Sequence, residues 1–66
     1  MTKIRFNQQI YQKELIKQTV EQFKNLADIK LTESGDYLDV EFTNIDSEVA
    51  NILPDEFANY ALGLHG

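Results

Sequence analysis

The sequence predicts an α+β fold: a βαββα two-layer sandwich whose three-stranded sheet, ordered 1-3-2, carries two helices on one face. Three observations predict it. Leu38, Val40 and Phe42 alternate with Tyr37, Asp39, Glu41 and Thr43, the period of a strand with one covered and one wet face. Between Gln12 and Leu26, the residues Leu15, Ile16, Thr19, Val20, Phe23 and Leu26 recur at helical spacing and form one apolar stripe. A second helix is marked near the C-terminus by Pro54, with Asp55 and Glu56 where the helix dipole favours acids.

Taken in order, the first element is a short strand in which Ile4 and Phe6 flank Arg5, with Lys3 and Asn7 outside them. The helix of residues 12–26 follows, with Lys13, Lys17, Glu21 and Lys24 on its wet side. Ile29 and Leu31, alternating with Asp28 and Lys30, give a second strand. Glu33-Ser34-Gly35-Asp36 reads as a hairpin turn, because Gly35 can take the positive φ a tight turn needs. Tyr37 to Thr43 is the third strand and, as the most apolar, belongs at the centre of the sheet. Residues 44–51 read either as a loop or as a helical turn capped by Asp46 or Ser47. In the last helix Ile52 and Phe57 are spaced for a hydrophobic staple, Tyr60, Ala61 and Leu64 continue the face, and Gly63 is the expected stop.

At 66 residues the chain is a single domain (residues 1–66), near the lower limit of what folds alone. It has no cysteine, so disulfides and thiolate metal sites are excluded. A partner surface, a second copy included, is then a source of extra stability, and a homodimer is compatible with so small a core. The 42% hydrophobic content, with four Phe and three Tyr, argues for a packed core rather than disorder. Eleven acids against six basic residues give a net charge of −5, with no cluster of Lys and Arg of the kind that binds phosphate backbones, so nucleic acid is not an expected partner. Neither a membrane-length apolar run nor the apolar start of a signal peptide is present, and the expected location is cytoplasmic.

The chemistry-bearing residues do not assemble a reaction. There is no Gly-x-Ser-x-Gly elbow, Ser34 sits in the hairpin turn, and the one histidine, His65, stands next to the C-terminus, where it reads as an untethered tail residue. Asp36, Asp39 and Glu41 at the hairpin, and Asp46, Glu48, Asp55 and Glu56 before the last helix, match no calcium loop and read as solvated charge. The expectation is a protein that is not an enzyme, with no catalytic, cofactor-binding or metal-binding residues and no cofactor.

What remains is binding. Tyr37 lies with the polar face of the third strand, and Tyr11 stands off the main stripe at the start of the first helix; tyrosine suits a surface that is apolar at one end and wet at the other. The outer strands, carrying Arg5 and Lys30, offer edges to which an extended peptide can add, although charge in a short edge strand also serves to discourage such pairing. Tyr11, Tyr37, Arg5 and Lys30 are therefore the candidate partner contacts.

One resemblance narrows this reading. The order of elements, Ile10-Tyr11 leading into Glu14-Leu15-Ile16, the Ala27-Asp28-Ile29 entry to the second strand, and the closing Glu56-Phe57-x-Asn59 followed by Leu62 resemble the HxsD family, small accessory proteins of the His-Xaa-Ser radical-SAM peptide-modification systems. The resemblance runs from about Ile10 to Leu62, with Glu56, Phe57 and Asn59 as its motif positions; the chain departs from it at Gly63-Leu64-His65-Gly66, where a charged, Arg-bearing tail is expected. It implies a non-catalytic helper of a radical-SAM maturase or of its precursor peptide, with the iron–sulfur cluster and S-adenosylmethionine on the partner. Two alternatives stand beside it: a ribosomal precursor peptide whose folded leader precedes a modifiable tail at residues 62–66, and an acidic inhibitor that occupies a basic cleft.

Overall fold

The computed structural model describes residues 2–65, and they form β1 (Thr2–Asn7), α1 (Lys13–Phe23), β2 (Asp28–Ser34), β3 (Tyr37–Thr43) and α2 (Leu53–His65) in that order. The sheet is ordered β1-β3-β2, and both outer strands run antiparallel to the central one. The βαββα layout is therefore the one the hydrophobic periods predict.

β3 sits in the middle because it has the most apolar surface to hide. Leu38, Val40 and Phe42 are sealed against the helices, at 0%, 0% and 1% exposure. Ile4 and Phe6 of β1 stand opposite Val40 and Leu38, and Ile29 and Leu31 of β2 stand opposite Phe42 and Val40. Side chains alternate across a strand, so one register places all of these under the helical layer. Burial of this kind stabilises by about 1.5–3 kcal/mol per large apolar side chain.

Phe57 of α2 is the hub of that layer. Its ring lies 6.1 Å from Phe6, 5.4 Å from Phe23 and 5.2 Å from Phe42, so one side chain joins β1, α1, β3 and α2. Tilted and edge-on rings at these separations add to area burial. Leu53 and Ala61, one turn before and one after, complete the sealed stripe of α2. On α1 the sealed residues are Ile16 and Thr19, and the Thr19 hydroxyl donates 2.9 Å to the Leu15 carbonyl, so its burial leaves no polar group unpaired.

Several boundaries differ from the sequence expectation. α1 ends at Phe23 rather than Leu26, because the chain tightens there: the Leu26 N–H donates to the Phe23 carbonyl at 3.0 Å, and Leu26 meets the core from the turn. β2 continues through Glu33 and Ser34, leaving only Gly35-Asp36 as the loop. Gly35, with φ +59°, holds the first central position, as a type II′ hairpin requires. Residues 47–52 form successive turns; the Asp46 carboxylate accepts the Glu48 N–H at 3.0 Å, and the Asp46 N–H donates to the Leu26 carbonyl, pinning the segment to the α1–β2 corner.

Two expectations for α2 are overturned. Ile52 is 52% exposed while Leu53 turns inward, so Leu53 rather than an Ile52 staple closes that end. Gly63 does not stop the helix, which runs to His65. Glycine ends helices by taking a left-handed conformation, but Gly63 shows no positive φ, and the packing of Leu53, Phe57 and Ala61 carries the helix past it.

Candidate functional site

The helix-free face of the sheet is built in cross-strand rows. Lys3, Glu41 and Lys30 form one row; Arg5, Asp39 and Thr32 the next; Asn7, Tyr37 and Ser34 a third. Three of the chain's six basic residues thus stand on this face, two of them on the outer strand β1.

Asp39 corrects the expectation of solvated charge on this face: it is only 6% exposed. Its cover is Arg5, whose Nε donates 2.8 Å to Oδ1 and whose Nη2 donates 3.3 Å to Oδ2, with the Lys3 ammonium 3.8 Å from Oδ2. A carboxylate taken from water needs such donors. The Arg5 hydrogen bond, reinforced by the charges of Arg5 and Lys3, holds the Asp39 carboxyl below the usual carboxylate range against the opposing effect of desolvation. Arg5 in turn lies over the Tyr37 ring, 4.9 Å from its centroid. Two of the predicted contacts, Arg5 and Tyr37, are therefore brought together. Lys30 stays apart on the opposite outer strand, across from Glu41.

Tyr11 is elsewhere. It precedes α1, half-buried, its ring edge-on to Phe6 at 4.9 Å and to His65 at 5.0 Å. Packing of that kind makes it part of the core's margin. His65 is likewise not an untethered tail. Its Nε2 accepts the Gln12 N–H at 2.6 Å, and its Nδ1 donates to the Ala61 carbonyl at 2.7 Å, a pair that only the neutral Nδ1–H tautomer makes. Gln12 is the N-cap of α1 and makes no side-chain cap bond of its own, so the imidazole supplies an acceptor at a helix start that the sequence leaves without a good cap. With Gln12 against His65 at one end and Phe23 against Phe57 further along, the helices run antiparallel.

Around this frame the polar groups are distributed rather than convergent. A depression of about 310 Å³ at the start of β1 is lined by Thr2, Phe42, Thr43, Asn44 and Ile45, none of them acidic or basic. Among the described residues no group of three or more His, Asp or Glu is placed to hold a metal ion. At the far end of β2, Glu33 is paired with Lys13 at 2.9 Å and with the Gln8 amide at 3.2 Å, and these two hold its carboxyl below the usual range. Of the motif positions, Phe57 is sealed in the core while Glu56 and Asn59 face outward from α2.

No helix of the described residues is long and apolar enough to cross a membrane. The chain matches no protein-family model, no curated protein and no solved structure.

Proposed function

We propose that this chain is a non-catalytic accessory protein of the cytoplasm that binds a protein or peptide and assists a radical-SAM peptide maturase or its precursor. The observation that supports the binding reading is the sheet itself. Three strands leave β1 and β2 each with one unpaired edge, and extended segments bind such edges through main-chain hydrogen bonds. The assignment to a maturation system rests on the resemblance of Ile10-Tyr11, Ala27-Asp28-Ile29 and Glu56-Phe57-x-Asn59 to the HxsD family. In this reading the iron–sulfur cluster and S-adenosylmethionine belong to the partner enzyme.

The helper role is favoured over the precursor role by one feature. A substrate tail has to reach an enzyme's centre, whereas Leu62 to His65 form the last turn of α2 and His65 is tied to Gln12. Affinity capture of the intact chain from its native host, with partners identified by mass spectrometry, tests both roles. Recovery of a radical-SAM enzyme or its precursor with the chain's own C-terminus unmodified is the expected result. Capture of neither overturns the accessory reading, and a modified C-terminus turns the chain from helper into substrate.

A further inference from the structure

We infer that β1, rather than β2, is the docking edge, and that it takes an extended peptide in which acidic residues alternate with apolar ones. This rests on the reading of the chain as a sheet-edge binder and adds to it which edge and which chemistry.

The neighbour that β1 already has shows what it pairs with. Across the inner side of the strand, Arg5 faces Asp39 and Lys3 faces Glu41 on the open face, while Ile4 faces Val40 and Phe6 faces Leu38 beneath. β1 presents the same side chains to its outer side. A strand added there meets Lys3 and Arg5 on one face and the half-buried Ile4 on the other, Phe6 being already sealed against Tyr11 and Phe57, so an acid–apolar–acid sequence repeats the complementarity that β3 supplies. The cations have capacity left. Arg5 uses Nε and Nη2 on Asp39, and among the described residues nothing accepts from Nη1; the Lys3 and Arg5 side chains are 54% and 56% exposed. Guanidinium forks suit a second carboxylate.

β2 lacks this character. Its open-face side chains are Asp28, Lys30, Thr32 and Ser34, a mixture without one sign of charge. On its covered side Glu33 is already occupied by Lys13 and Gln8. The same peptide laid along β2 with its acids on the open face would set one of them beside Asp28, and like charges across a strand pair are unfavourable.

The test uses the full chain, labelled with nitrogen-15, and two capped seven-residue peptides, one alternating Glu with Val and one alternating Lys with Val. The Glu peptide is expected to bind about tenfold more tightly than the Lys peptide at low salt, from two favourable cross-strand pairs replaced by two unfavourable ones. The preference should shrink as salt is added, and the amides whose shifts and exchange respond should be those of residues 2–7. Lys3→Glu, at a side chain more than half exposed and only loosely paired, is expected to weaken Glu-peptide binding and strengthen Lys-peptide binding. Equal binding of the two peptides overturns the proposed chemistry. Responses confined to residues 28–34 overturn the choice of edge while leaving edge binding intact. Binding of neither peptide overturns this inference alone if affinity capture still recovers a maturase or precursor, and both readings if it does not.

Discussion

On the covered face of β3, Leu38, Val40 and Phe42 leave solvent beneath two helices; on the open face Asp39 comes within a few per cent of the same burial, paired with the side chains of Arg5 and Lys3. The first burial is apolar and non-directional, and it tolerates repacking so long as volume is kept. The second depends on direction. The Arg5–Asp39 fork fits one cross-strand register, and slipping β1 by one residue would place Ile4 opposite Asp39 and send Arg5 to the core side. The difference teaches that the two faces of one strand fix the same register by different means, the covered face by burying an apolar row and the open face by a directional ion pair.

The largest expected effect comes from the covered side. Phe57→Ala removes the ring that Phe6, Phe23 and Phe42 all touch and should cost about 3–5 kcal/mol. A domain this size holds only about 3–10 kcal/mol in all, so circular dichroism at 25 °C should show a largely unfolded chain. A cooperative transition at the wild-type denaturant midpoint would refute the hub.

Next is the open face, where the signature is pH. Asp39 and Glu33 both have carboxyl groups held below their ordinary range by Arg5 and Lys13 respectively. A depressed carboxylate contributes stability that is fully present above its unfolded pKa and is lost as pH falls through its folded value. Denaturant midpoints should therefore fall through the acid range, and Asp39→Asn should lower the neutral-pH midpoint while flattening that acid slope. An unchanged slope would mean that the Arg5 pairing does not persist in solution.

A smaller effect belongs to the clasp between the helices. His65→Ala removes the acceptor for the Gln12 N–H and should cost about 1 kcal/mol, read as a lower midpoint with faster amide exchange at the start of α1. The smallest change has the opposite sign. Gly63 lies within α2, and a Cβ added there meets nothing within 4 Å, so Gly63→Ala should stabilise by about 0.4–1 kcal/mol.

What the sequence revealed and what it hid divide along the same line. The covered face was legible because burial writes itself as a period: two for β3, about three and a half for α1. The 1-3-2 order followed from β3 having the most apolar surface to hide. Asp39 looks wet in the sequence because alternation marks which way a side chain points but not whether an arginine 34 positions earlier folds over it. His65 escaped for the same reason, its partner being 53 residues away. Gly63 has the local character of a stop, but tertiary packing of the preceding turns outweighs that preference. Of the four contact candidates, alternation puts Arg5 and Tyr37 on the polar face, where the guanidinium lies over the ring, whereas the ladder from Phe6 through Tyr11 to His65 has no linear signature.

Amide hydrogen exchange on the free chain measures directly whether its outer strands are open. In a three-stranded antiparallel sheet the central strand is bonded on both sides, whereas alternate amides of each outer strand point away from the sheet. Slow exchange is expected throughout residues 37–43, and alternating slow and fast exchange along residues 2–7 and 28–34. Uniformly slow exchange along residues 2–7 in the free protein would contradict that expectation, because that edge would then already be covered.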